Sequence, residues 1–228
     1  IFIYKMVTRT YIDKNNTLIK DTIINTGRNP ITELYYGGSE TSTNYTRHLL
    51  YFDIDTLQTQ YNNGELGDLS NVTHTLKMCN SSFFDTDLQA QALLDGKRRT
   101  FSFDLVLFRV NKTWDEGCGY DYQRVFKSGD KDRGVVEAAD NITFVEGASN
   151  WLNATTTTPW DEGGVYSGSP SGITVATQHF DKGNENIEMD ITDEVNSLIT
   201  GGTTNYGYGI SFERDLELLI KNPAQYVG

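Results

Sequence analysis

The feature that most constrains this chain is an alternation of period two that returns several times along its length. In THTLKMC, His74, Leu76 and Met78 share one side, with Thr75, Lys77 and Cys79 on the other. TFSFDLVLF sets Phe101, Phe103, Leu105 and Leu107 against Ser102, Asp104 and Val106. NIEMDIT sets Ile187, Met189 and Ile191 against Glu188 and Asp190, and YGYGISF aligns Tyr206, Tyr208, Ile210 and Phe212. Only an extended strand sends successive side chains to opposite faces. Gly, Asn, Asp or Pro bounds each run, as turns require. The pattern predicts an all-β chain: an antiparallel β-sandwich whose strands each have one dry and one wet face.

Helical signals are sparse, and one to three short helices are expected. Thr192 or Asp193 is placed to cap a helix carrying Val195, Leu198 and Ile199, with Gly201 and Gly202 to stop it. TDLQAQALLDG, from Thr86 to Gly96, is a second candidate; ERDLELLIKNP is a third, or else an excursion toward a further region. The stretches Gly117–Trp151 and Thr155–Thr177 read as long polar loops. No linker interrupts the chain, so residues 1–228 read as a single β-sandwich domain. Residues 1–7 read as an apolar first strand or N-terminal arm, and residues 213–228 as a candidate extension toward a further region.

Charge narrows the partners. A net charge of −12 and a pI near 4.6 argue against direct contact with nucleic acid, which needs a basic face. Lys97-Arg98-Arg99 is too short a cluster to reverse that. No apolar run reaches the roughly 20 residues that span a bilayer, so no membrane partner is expected. Cys79 and Cys118 read as free thiols, because a chain of 228 residues needs no staple.

Trp-Asp-Glu-Gly occurs twice, at Trp114–Gly117 and Trp160–Gly163. Asp115, Glu116, Asp161 and Glu162 can be read as the paired carboxylates of a glycosidase. They can equally be acids pointing to water at two scaffold corners. SGDKDRG offers Asp130 and Asp132, but Gly134 and Asn141 stand where an EF-hand requires other ligands. Calcium at another carboxylate-rich loop stays open, and no other cofactor is indicated. His48, His74 and His179 lack zinc spacing. No catalytic set emerges, and the chain is not expected to be an enzyme. Loop aromatics suit glycan stacking or protein contact, which makes Trp114, Tyr120, Tyr122, Trp160 and Tyr166 the candidate contact residues. Ile1, Phe2, Ile3 and Tyr4 are candidate assembly contacts.

Taken in order, TRHLLYFDIDTL, KTWDEGCGYDY, NWLN, PWDEGGVYSG, NIEMDITDEVNSLITG and NYGYGISF resemble the DNRLRE-type domains over roughly Thr8 to Phe212. That resemblance implies a jelly-roll-like sandwich found in surface, adhesive and carbohydrate-associated modules. It also implies that Trp114 and Trp160 are scaffold landmarks at sheet ends. Cys118 and the long stretch from Gly119 to Asn150 depart from the family pattern. NTGRNPITELYYGG followed by TRHLLYFDI is similar to structural proteins of crAss-like tailed bacteriophages. The two likenesses imply a non-catalytic virion subunit of the tail or collar, in contact with other virion proteins. The alternative is a glycan-binding or adhesion module at a cell surface or outside the cell.

Overall fold

A computed structural model describes residues 7–29, 32, 34–38, 43–80, 102–119, 148–166, 173–181, 183 and 185–218. The elements run in the order β1 (Lys14–Ile19), β2 (Tyr36–Gly38), β3 (Thr43–Tyr51), α1 (Asp55–Asn62), β4 (Thr75–Met78) and β5 (Phe103–Arg109). There follow β6 (Thr174–Phe180), β7 (Ile187–Asp190), α2 (Thr192–Ile199), β8 (Tyr208–Phe212) and α3 (Arg214–Leu218). Every pairing is antiparallel. One sheet runs β1-β3-β8-β5-β6, with β2 also on β3, and β4-β7 forms a separate ribbon. The fold is therefore all-β and sandwich-like, with three short α-helices among the described residues.

The register sorts the side chains onto two faces. His48 lies opposite Ile210 and Leu50 opposite Tyr208, while Leu105 lies opposite Phe212 and Leu107 opposite Ile210. This face buries Leu50, Leu105, Leu107, Tyr208, Ile210 and Phe212 against Leu76 and Met189 of the ribbon and Val195, Leu198 and Ile199 of α2. The other face carries Leu18, Tyr45, Leu49 and Phe108. It is covered by Trp114, Trp151, Trp160, Val165 and Tyr166, which come from the segments joining strands.

This corrects two expectations. The central strands are not wet on one face: all five residues of β8 are buried, and so are Leu105 through Phe108 of β5. Gly209 and Ser211, which alternate with the apolar positions of β8, point into the second core. A Cβ on Gly209 would lie 2.0 Å from the Phe108 ring, so the ring occupies the space a side chain would need. The stretch Thr155–Thr177 is also not simply a polar loop. Trp160, Val165 and Tyr166 pack onto the sheet while Thr156–Pro159 and Asp161–Glu162 are exposed, and β6 already begins at Thr174.

The ribbon keeps the expected alternation, with Ile187 and Met189 buried and Glu188 and Asp190 exposed. Helix α2 starts where expected, but neither Thr192 nor Asp193 caps it. Ile191 holds the cap position, and the Asp190 carboxylate accepts from the Thr192 N–H at 2.9 Å. The Thr86–Gly96 helix lies outside the described residues, as do Lys97-Arg98-Arg99. Cys79 and Cys118 are free and exposed.

Candidate functional site

The first WDEG corner is assembled by side chains that tie it to β1. Trp114 is 2% exposed and donates its indole N–H to the Tyr206 carbonyl at 2.9 Å. Glu116 Oε1 accepts from the Asn15 backbone N–H at 2.8 Å and from Asn15 Nδ2 at 3.1 Å. Buried Asn25 donates from Nδ2 to the carbonyls of Glu116 and Ser149, both at 2.8 Å. Its Oδ1 accepts from the Gly119 N–H at 2.9 Å and the Gly27 N–H at 3.2 Å. Buried Asn16 does similar work, reaching the Ser149 carbonyl at 2.9 Å and accepting from the Thr26 N–H at 3.0 Å. An amide supplies both donors and acceptors, so it can satisfy several loop groups in a place water does not reach.

The second corner is built differently from the same four letters. Trp160 donates its indole N–H to the Asn150 carbonyl at 2.8 Å. Asp161, not the glutamate, makes the side-chain tie, to Lys112 Nζ at 2.6 Å and Asn111 Nδ2 at 2.9 Å. The hydrogen bonds from Lys112 and Asn111 hold this exposed carboxyl below its ordinary range. Gly163 and Gly164 pass under Trp151; a Cβ on Gly163 would lie 2.4 Å from its Nε1. The next residue, Val165, is buried with φ 88°, a left-handed conformation that a β-branched residue adopts only under constraint.

Beside the second corner sits a residue that sequence reasoning passed over. Arg47 of β3 is fully buried inside a box of Tyr166, Trp151 and Tyr45, whose ring centroids lie 4.1, 5.1 and 5.6 Å from its guanidinium carbon. Its Nε and Nη2 reach Glu217 Oε1 and Oε2 at 2.9 and 2.6 Å, and Nη1 donates to the Gly164 carbonyl at 2.5 Å. Glu217, also fully buried, accepts in addition from Arg214 Nη1 at 3.2 Å. Burial opposes the arginine's charge, but the hydrogen bonds and field of Glu217 outweigh it and raise its pKa. The signal was present in TNYTRHLLY: alternation places Arg47 beside Tyr45 and Leu49 on a core-facing row, where a charge needs a buried partner. A second pair, Arg109 and Glu194, fastens α2 to β5 bidentately.

The burial pattern decides the sequence candidates. Trp160 is 4% and Tyr166 7% exposed, and the Tyr166 hydroxyl pairs with Ser211 Oγ at 2.9 Å. Trp114, Trp160 and Tyr166 thus pack as core residues with their rings buried. Tyr120, Tyr122, Ile1, Phe2, Ile3 and Tyr4 lie outside the described residues, as do Asp130, Asp132 and Gly134. Glu116 and Asp161 are committed to the corners by their hydrogen bonds, while Asp115 and Glu162 are exposed. Among the described residues, no three of His, Cys, Asp and Glu are grouped to hold a metal ion. A shallow cleft of about 690 Å³ lies between α1 and α2, lined by Tyr61, Asp68, Asp193, Asn196, Ser197 and Thr200. Asp68 accepts there from the Ser70 N–H, Ser197 pairs with Thr203, and the Thr200 hydroxyl donates to the Asn196 carbonyl, whereas the Asn196 side-chain oxygen is buried without a hydrogen-bond partner among the described residues.

No protein-family model, curated protein or solved structure matches the chain. Among the described residues, no helix is long and apolar enough to cross a membrane.

Proposed function

We propose that this chain is a non-catalytic structural subunit of a tailed-bacteriophage virion, contributing a rigid body to the tail or collar and contacting other virion proteins. One observation carries the non-catalytic part. The polar side chains that a reactive centre would need are used inside the protein as ties, at Asn16, Asn25, Arg47, Glu116 and Glu217. Catalytic groups must face a substrate, whereas these groups face each other. The phage assignment rests on the sequence likeness of NTGRNPITELYYGG and TRHLLYFDI. The glycan-binding alternative is weakened because Trp114, Trp160 and Tyr166 keep their rings in the core.

Quantitative mass spectrometry of purified particles tests the reading. Peptides of this chain at a fixed molar ratio to a capsid protein are the expected result. Their absence from particles removes the virion assignment and returns the binding-module reading to first place.

A further inference from the structure

The sheet has two outer edges, and among the described residues only the β1 edge has its backbone groups closed off. In β1 the outward-facing N–H of Asn15 donates to Glu116 Oε1 at 2.8 Å, and that of Thr17 to Thr26 Oγ1 at 3.1 Å. At the other end stands β6, the last strand in the order. Arg109 N–H donates to the Ile173 carbonyl, and Val110 N–H to the Gly207 carbonyl, so Phe103, Leu105 and Leu107 direct their backbone groups toward β6. Their partners Phe180, Gln178 and Ala176 face back. Thr177 and His179 therefore aim N–H and C=O away from the sheet, where no described strand pairs with them. TVATQHF contains no proline and no lysine, two of the devices that commonly guard an edge.

The same structure holds a segment suited to such an edge: Val7–Ile12 makes no hydrogen bond among the described residues, and pairing with β3 begins only where the Asp13 N–H donates to the Tyr51 carbonyl at 2.8 Å. Residues 7–13 are all exposed, with Val7 at 70%, Tyr11 at 77% and Ile12 at 37%. Within Val7-Thr8-Arg9-Thr10-Tyr11-Ile12 every residue but Arg9 is β-branched or aromatic, the composition that favours strands. Lys5 and Arg9 precede the first acid, Asp13, in a chain whose net charge is −12. Beside the β6 edge, Asp104 and Asp181 share the single imidazole of His179, at 2.6 and 3.5 Å. One imidazole between two carboxylates leaves the edge negative, which complements Arg9.

We propose that Val7–Ile12 is an assembly strand that adds to the β6 edge of a second copy of this chain. The proposal rests on the structural-subunit reading and names an interface for it. The donor segment leads into β1 and the acceptor is β6, at opposite ends of the sheet, so the contact is head-to-tail. Such a contact repeats into a ring if the rotation closes and into a filament if it does not. Backbone ladder bonds supply the attraction, and the alternating side chains fix the register.

Sedimentation and light scattering over a concentration series test this with the whole 228-residue chain. The parent is expected to associate as concentration rises. A donor-broken chain (Val7→Asp with Tyr11→Asp) and an acceptor-broken chain (Thr177→Pro) are each expected to stay monomeric. Mixed in equal amounts, the two should form one-to-one pairs that grow no further, because one intact donor meets one intact acceptor. An excess of the peptide VTRTYIDK should weaken association of the unaltered parent roughly tenfold or more, a readout that does not depend on how Thr177→Pro folds. A parent that stays monomeric, variants that associate like the parent, or indifference to the peptide overturns the proposal. Monomers in solution with peptides present in virions sink only the strand. Association without virion peptides sinks only the phage assignment.

Discussion

Arg47 and Glu217 show how much of this protein's stability hangs on single polar residues. Both charges are fully buried, and each is the other's principal partner. Removing one leaves an uncompensated ion in the core, a loss of roughly 3–5 kcal/mol. Arg47→Met and Glu217→Leu are each expected to lower stability by about that much in urea unfolding. The double variant should lose clearly less than either single change, because no lone charge remains. Equal or additive losses would mean that the pair is not coupled as its geometry implies. His48 offers a second residue-scale test. It is fully buried between Thr17 Oγ1 at 3.3 Å and Thr32 Oγ1 at 3.2 Å, and burial lowers its pKa to about 3. The unfolded imidazole titrates near 6.5, so between pH 6.5 and 3 the unfolded state binds the extra proton. The contribution is complete above pH 6.5 and is lost as pH falls, at about 1.4 kcal/mol per pH unit. His48→Gln should flatten the fall in stability over that window. An unchanged slope would show that His48 is protonated without unfolding.

At the scale of elements, the WDEG corners belong to the frame. Gly117 has φ +81°, and a Cβ there would lie 2.4 Å from Ala148 Cβ and 2.5 Å from Asn25 Oδ1. Gly64, after α1, has φ +74° and open space around it. Gly64→Ala is expected to cost roughly 1 kcal/mol from the left-handed backbone alone, and Gly117→Ala roughly 3 or more, since the added methyl also pushes the Asn25 clip apart. Thermal melts of the two variants check this; similar losses would mean that the corner relaxes without strain. The same scale shows what the sequence discloses. The ribbon and α2 are readable because each buries one face, so their apolar spacing follows the element's own period. Helix α1 is not, because DTLQTQYN buries no residue fully and offers only Leu57 and Tyr61 at helical spacing, too few to mark a stripe. The outer layer over β3 and β8 is equally hidden. It is made of connecting segments with no period, held by Asn16 and Asn25 in positions that composition alone reads as polar loop.

For the whole molecule, connectivity is the deciding property. β8 is the only described strand that joins β3 to β5, pairing His48 with Ile210 on one side and Leu107 with Ile210 on the other. It arrives late in the chain, and directly after it α3 delivers Glu217 to Arg47 across a separation of 170 residues. Without β8, the β1-β2-β3 group and the β5-β6 pair would each expose an apolar edge and lose the shared floor of both cores. Three strands on one side and two on the other bury too little to offset their conformational entropy. A chain ending at residue 205 is therefore expected to show no cooperative thermal transition, although it keeps seven of the eight described strands. High sequence separation of the central contacts also predicts refolding of the intact chain on a millisecond-to-second timescale. A cooperative melt from the shortened chain would mean that the two groups of strands fold independently. The protein would then be two units joined by β8, and the single-domain reading would fall with it.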